Sequence, residues 1–138
     1  MLFFCFKNDK NFQFFIEPAL DKLQVEDVLF VDWKQDTTLG NFVKAENQIS
    51  FLNYKILLVD EKFNYKKIEH MPKVNAVWLH NNTNKHIKEL RQEVIFNELI
   101  IDASNKDYKI KTYQNEANNF GLKYHTLKKN NSYLINLK

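Results

Sequence analysis

The side chains of this sequence that could do chemistry are a few histidines and a set of acids placed at the ends of apolar runs. The run Val77-Trp78-Leu79 ends at His80, and a polar turn, Asn81-Asn82-Thr83-Asn84-Lys85, leads to His86 and a helical pattern behind it. Two further apolar runs, Ile56-Leu57-Leu58-Val59 and Leu99-Ile100-Ile101, end in Asp60 and Asp102. In α/β folds functional groups gather where strands end and helices begin. If these strands are parallel neighbours, a carboxylate, an imidazole and a carboxylate emerge along one edge of the sheet. Asp60, His80 and Asp102, with His86 as a fourth donor, would then be the ligands of a zinc or manganese ion. The chemistry of such an ion would be that of a metal-dependent phosphodiesterase. The competing use is structural, because aspartate is a common turn and cap residue.

Coordination rules weigh against the metal. On a continuous helix His80 and His86 would sit ~240° apart, since each residue turns ~100°. Asn82 and Asn84 are neutral amides that do not replace carboxylate or imidazole on zinc, and Lys85 adds a positive charge beside the ion. A second constellation is Asp102-Ala103-Ser104-Asn105, in which Ser104 would be a nucleophile if His125, on the following strand, served as its base. It lacks the sharp Gly-x-Ser-x-Gly elbow, and Ser104 and Asn105 are also ordinary caps for the helix that follows.

The elements that must position these groups are legible mainly in the second half of the chain. Ile49-Ser50-Phe51 and Lys55 to Asp60 read as a hairpin turning at Asn53-Tyr54, and the unbroken apolar run Ile56 to Val59 indicates a strand covered on both faces. Val74 to Leu79 and Leu99 to Asp102 are strands. His86 to Val94 is a helix, with Thr83 or Asn84 as N-cap. Asp107 to Asn119 is another, with Ile110, Tyr113, Ala117 and Phe120 on one face and Gly121 at its C-terminal stop. Leu122 to Thr126 and Tyr133 to Leu137 are the last strands. In the first half, Leu2 to Phe6 and Phe12 to Ile16 read as a hairpin, a short helix follows Pro18, and Val28 to Val31 is a strand. The polar stretch from Asp32 to Asn47 gives no clear pattern. This order predicts one α/β domain over residues 1–138, with helices flanking mixed β-sheets. Residues 1–48 supply an N-terminal hairpin and helix.

Composition narrows the function further. The chain has 138 residues, and its apolar content of 44%, with 12 Phe, excludes a disordered chain. With only 2 Gly, asparagine is expected to fill left-handed turn positions. The alternating Phe residues near the N-terminus suit core packing better than base stacking. The net charge of +3 is carried almost entirely by lysine, Arg91 being the only arginine. Base-edge readout favours arginine, so a sequence-specific DNA reader is disfavoured, while non-specific phosphate contact through lysine is compatible. Cys5 is the single cysteine, which excludes an intramolecular disulfide and Cys-based zinc sites. No run approaches the ~18 apolar residues that span a bilayer, and the N-terminal run has no basic flank of the kind that precedes a signal sequence.

Four blocks carry a family resemblance: Lys55 to Asp60, Lys73 to Asn82, Asn97 to Asn105, and Gly121 to Thr126. Their order and spacing over residues 49–138 resemble the C-terminal soluble domain of ComEC-type competence proteins, in the Bacteroidetes-like form. The resemblance implies a reduced metallo-β-lactamase-like layer fold, attached to a bacterial inner-membrane protein of DNA uptake. Against that family's His-x-His-x-Asp-His motif, His80 falls on the first histidine, Asn82 on the second, Asn84 on the aspartate and Lys85 on the last histidine, with His86 one position late. Asp60 ends the family's Ile-Leu-Leu-Val-Asp strand, with Glu61 where metal-binding members have a nearby glycine. Asp102-Ala103-Ser104-Asn105 falls on a strand-to-helix turn. The implied site is vestigial, comprising Asp60, His80, Asn82, Asn84, His86, Asp102, Ser104 and His125. The implied function is a non-catalytic structural or docking domain without cofactor, whose partner is the membrane channel portion of the parent protein and which contacts single-stranded DNA non-specifically.

Overall fold

The computed structural model describes residues 2–6, 27–68 and 72–127. A two-stranded parallel sheet pairs β1 (Leu2–Phe6) with β2 (Asp27–Val31). The β1 run therefore lies in parallel beside Asp27–Val31. The hairpin partner expected for it, Phe12 to Ile16, falls outside the described residues, as do the helix after Pro18 and the strand Tyr133 to Leu137.

The main sheet has seven strands in sequential order: β3 (Thr37–Leu39), β4 (Phe42–Ala45), β5 (Gln48–Phe51), β6 (Tyr54–Val59), β7 (Ala76–Leu79), β8 (Glu98–Asp102) and β9 (Lys123–Leu127). β3 to β6 form an antiparallel meander, and β6 to β9 run parallel. Helix α1 (Ile87–Glu93) connects β7 to β8, and α2 (Asp107–Asn119) connects β8 to β9. This is the expected α/β fold, a mixed sheet with flanking helices. Parallel neighbours joined in sequence by crossovers of one hand carry their helices to the same face, which is where both are found.

Period-two alternation divides the core between the two faces of the sheet. Leu57, Val59, Val77, Leu79, Leu99 and Ile101 face the helices and pack against Ile87, Leu90, Ile110, Tyr113 and Ala117. Ile56, Leu58, Ala76 and Ile100 face the other way, with Phe42 and Ile49, and Trp33 and Trp78 pack on that side. The whole run Ile56 to Val59 is buried, as an unbroken apolar strand requires.

Local departures have local causes. The β5–β6 turn is Leu52-Asn53, one residue earlier than expected, because Tyr54 is already paired with Phe51. Asn81 (φ 53°) and Asn82 (φ 57°) occupy left-handed backbone as anticipated, while Glu46 and Leu52 also do so. The strand from Val74 begins at Ala76, after Lys73 makes an isolated parallel bridge with Ile95.

A short 3-10 turn, Tyr65–Lys67, is capped by Asn64, whose Oδ1 accepts the Lys66 N–H at 3.0 Å. It carries Tyr65 beneath the Lys85 ammonium, 5.0 Å from the ring centroid. The Tyr65 hydroxyl oxygen is buried without a hydrogen-bond partner among the described residues. An unsatisfied buried hydroxyl is destabilising. Tyr65→Phe is therefore expected to raise stability by about 1 kcal/mol, read as a higher urea midpoint at unchanged slope. A lower midpoint would show that the hydroxyl is satisfied in solution.

Candidate functional site

The parallel registers put the three strand ends in one row. Val59 pairs with Leu79, and Leu79 with Ile101. The next residues, Asp60, His80 and Asp102, continue that row, and the His80 N–H extends the ladder to Val59 O at 2.9 Å. By alternation their side chains belong to the face opposite the helices, where Trp33 and Trp78 lie.

Asp102 is the hub. Trp78 Nε1–H donates to its Oδ2 at 2.9 Å, and His80 Nδ1–H to the same oxygen at 2.5 Å. Its Oδ1 accepts the Ser104 N–H at 3.1 Å, the Ser104 hydroxyl through a short hydrogen bond, and Asn105 Nδ2–H at 3.3 Å. A carboxylate offers about four lone-pair sites, so these donors use them all. Asp60 is bonded at both oxygens, Oδ2 accepting Trp33 Nε1–H at 2.9 Å and Oδ1 the Lys62 N–H at 3.0 Å. The Trp33 ring stacks on His80, with centroids 3.8 Å apart and planes 22° apart, and meets Trp78 edge-on at 6.0 Å. Two indoles thus tie the acids and the imidazole together.

Ser104 and Asn105 do not cap α2, whose N-cap is Lys106 without a side-chain bond. They fold back instead. Ser104 Oγ accepts the Asn81 N–H at 2.8 Å and lies 3.0 Å from His80 Nδ1. Asn105 Oδ1 accepts the Asn82 N–H at 2.9 Å, and its Nδ2 donates to Leu79 O and Asp102 O. Asn82 completes the lock, its Oδ1 accepting the Lys106 N–H at 2.7 Å. A serine relay needs serine and carboxylate on opposite ring nitrogens of the histidine. Here both approach Nδ1 of His80, and the Ser104 proton already goes to Asp102. This arrangement does not make Ser104 a nucleophile.

The remaining candidates lie elsewhere. His125 is level with Ile100, midway along β9, its Nε2 3.5 Å from Glu98 at the far end of β8 from Ser104. His86 is the N-cap residue of α1, a place expected for Thr83 or Asn84. Its Nδ1 meets Glu116 Oε1 at 3.0 Å, while Glu116 Oε2 accepts the Ile87 N–H at 2.7 Å. The capping acceptor of α1 thus comes from α2. Thr83 is fully buried, its carbonyl accepting the Tyr113 hydroxyl at 2.7 Å and Lys109 Nζ–H at 3.2 Å, and Asn84 is exposed.

Beside this cluster Trp33, Lys34, Asp36, Glu46 and Asp60 border an open cleft of about 720 Å³. Lys44, nearby on β4, is 1% exposed and donates to Gln35 O at 3.0 Å. Burial lowers its pKa, against the opposing charges of Asp36 and Asp32.

The donor set is poorly suited to a divalent ion. Asp102 has no lone pair left, Asp60 is bonded at both oxygens, and His86 is drawn to Glu116. Among the described residues no three of His, Cys, Asp and Glu are grouped as ligands. The residues in these positions do not fit the ion that the resemblance associates with the fold.

Comparison with known families gives one match. The sequence model of the ComEC C-terminal domain matches residues 4–137. The chain belongs to that family. No curated protein and no solved structure matches it. The family match reaches well N-terminal of the four blocks, into the polar stretch that holds Trp33. Membership supports a competence-type role in DNA uptake and a place within a membrane protein. No helix among the described residues of this ComEC C-terminal domain is long and apolar enough to cross a membrane.

Sequence reasoning missed Trp33, Trp78 and Glu116, and gave Asn105 only a capping role. Trp33 carried one signal, a large aromatic inside a polar stretch, which calls for a tertiary partner. Nothing in the sequence around Glu116 distinguishes it from other helix-surface acids.

Proposed function

We propose that this domain is a non-catalytic structural and docking module of a competence-type DNA-uptake protein. The observation that supports this reading is the saturation of Asp102. The strand-end acids and His80 are spent on indole, hydroxyl and amide donors, and so brace the tops of β6, β7 and β8. Asn82, Asn84 and Lys85, which the resemblance sets at motif positions, do turn-building work here or lie at the surface.

The reading includes weak, non-specific contact with single-stranded DNA through lysine. The cleft beside the cluster presents Asp36, Glu46 and Asp60 against Lys34, which repels a phosphate backbone. Contact is therefore assigned to exposed lysines outside it, such as Lys88, Lys106 and Lys111. Fluorescence anisotropy with a labelled oligothymidylate tests this. Binding is expected at low salt, falling with a log–log slope of about −2 for three phosphates, and it should weaken in Lys106→Glu/Lys111→Glu. No binding at low salt removes the DNA contact and leaves the docking role.

A second reading has one specific observation in its favour. Holding the Nδ1 proton of His80 on a carboxylate is how metal-binding histidines are oriented. A metal-dependent phosphodiesterase would require stoichiometric zinc or manganese in the purified protein, lost in His80→Ala. Elemental analysis decides between the two.

A further inference from the structure

The two ends of the main sheet differ in character. The C-terminal ends of β6 to β8 carry the polar cluster. The opposite end gathers the turn Leu39 to Phe42, the turn Leu52-Asn53, the start of β8 and the start of β9. The first two turns touch, Leu52 N–H donating to Asn41 O at 3.4 Å.

Five large apolar side chains are exposed among the described residues, and four of them, Leu39, Leu52, Ile95 and Phe120, are at this opposite end. The fifth, Tyr108, is at the start of α2, beside the polar cluster. Leu39 and Leu52 are 50% and 54% exposed at the tips of adjacent hairpins. Leu52 holds φ 54°, a backbone that favours glycine or asparagine, so an apolar side chain is kept there against local preference. Ile95 follows α1 and bridges Lys73.

The charges around these residues are cationic. Lys55, Lys73 and Lys123 are exposed at this end, and Arg91 lies over the Phe120 ring at 4.8 Å. Lys123 stands opposite Glu98 in the β8–β9 register. Of the acids nearby, Glu98 is engaged by His125, and Glu93 is exposed.

We infer that this end of the sheet is a membrane-facing surface, seating Leu39, Leu52 and Ile95 in the interface of an anionic bilayer while Lys55, Lys73 and Lys123 meet its headgroups. Shallow apolar insertion combined with basic residues is the pattern of interfacial membrane binding. The parent family supplies a membrane to bind, and the charge complementarity selects its anionic lipid. The polar cluster at the other end of the strands then faces away from the bilayer. The inference rests on the domain's place in a membrane protein and not on DNA contact, so neither assay decides the other.

Flotation of the full 138-residue chain with vesicles of phosphatidylglycerol and phosphatidylethanolamine, against phosphatidylcholine alone, provides the test. The chain is expected to float with the anionic vesicles. Binding should fall at least tenfold in Leu39→Asp/Leu52→Asp, and also in Lys55→Glu/Lys73→Glu, with unchanged circular dichroism. An environment-sensitive fluorophore on Leu52→Cys, in a Cys5→Ser background, should shift to the blue on vesicle addition. The same probe on Tyr108→Cys should not. Absence of flotation at low salt, undiminished binding of the leucine double variant, or a shift at position 108 instead of 52 would each overturn the assignment. The last two outcomes would point to adsorption by charge alone or to the reverse orientation.

Discussion

Asp102→Ala is expected to destabilise the domain by about 3–4 kcal/mol, the range seen when one partner of a buried charged network is removed. The carboxylate is 9% exposed and is the shared acceptor for the Trp78 indole, His80 Nδ1, the Ser104 amide and hydroxyl, and the Asn105 amide. Removing it leaves several donors without an acceptor in a place water enters poorly, and each costs about 1–3 kcal/mol when buried and unsatisfied. Not all of that is incurred, because His80 and Ser104 can relax toward solvent. For a domain of this size the loss corresponds to a fall in Tm of about 10–15 °C. Asp102→Asn keeps the shape and one acceptor but turns an amide toward existing donors, and should cost about 2 kcal/mol. Trp78→Phe removes a single donor and should cost about 1 kcal/mol. Thermal and urea unfolding give all three. The effect should be the same with or without chelator, since the brace consists of hydrogen bonds. A loss under 1 kcal/mol for Asp102→Ala, or one that appears only when zinc is present, would contradict the structural role.

What was legible in the sequence was whatever depends on neighbours in the chain. The bounds of α2 follow from its apolar spacing and from Gly121, which takes φ 65° at the helix end. The three strand tops follow from apolar runs that stop at a charged or polar residue. What was not legible depends on partners far along the chain. Trp33 reaches Asp60 across 27 residues, and Glu116 reaches the start of α1 across 29. Local propensity correctly marks Thr83 and Asn84 as good caps, but Thr83 is buried under Tyr113 and Glu116 is placed to do the capping. Ser104 and Asn105 look like caps for the same reason and are recruited instead to the neighbouring turn. The segment from Asp32 to Asn47 was unreadable because β3 and β4 are only 3 and 4 residues long, too short for alternation to register against turn residues.

Asn82 joins the two turns above the sheet. It holds left-handed backbone and accepts the Lys106 N–H through its side-chain oxygen. Asparagine tolerates left-handed backbone and offers a side-chain carbonyl acceptor, so this one residue does both local jobs and ties the β7 turn to the β8 turn. Ser104 and Asn105 make the reciprocal bonds to Asn81 and Asn82. The two loops above the sheet are thereby fastened to one another by side-chain to backbone bonds.

The contribution of Tyr113 to stability is expected to be lost steeply between pH 10 and 12, and Tyr113→Phe should flatten that fall. Tyr113 is 2% exposed, with its hydroxyl donating to Thr83 O. Burial, then the nearby Glu116 and Tyr108, push its pKa up from 10.0 to about 12. The folded state therefore keeps its proton between those values while the unfolded state releases it. A pKa raised on folding gives stability that is complete below pH 10 and is lost as pH rises through 12. Two units amount to about 2.7 kcal/mol. Tyr65 is raised to about 12 as well, by burial and then Glu89 and Glu93, but it is only part-buried and its share is smaller. Lys44 acts in the opposite sense. Its pKa is lowered by burial, so the unfolded state holds the proton longer, and stability rises with pH between the lowered value and 10.5. The end of the lysine gain, at 10.5, thus overlaps the onset of the tyrosine loss at 10.0. At neutral pH Tyr113→Phe should cost less than 1 kcal/mol, because Lys109 still donates to the Thr83 carbonyl at 3.2 Å. The variant should start slightly less stable than the parent and become the more stable of the two between pH 10 and 12. Urea midpoints across that range, together with the tyrosinate absorbance of the folded protein, measure both halves of the argument. Parallel curves for parent and variant would mean that Tyr113 ionises in the fold as readily as in the unfolded chain.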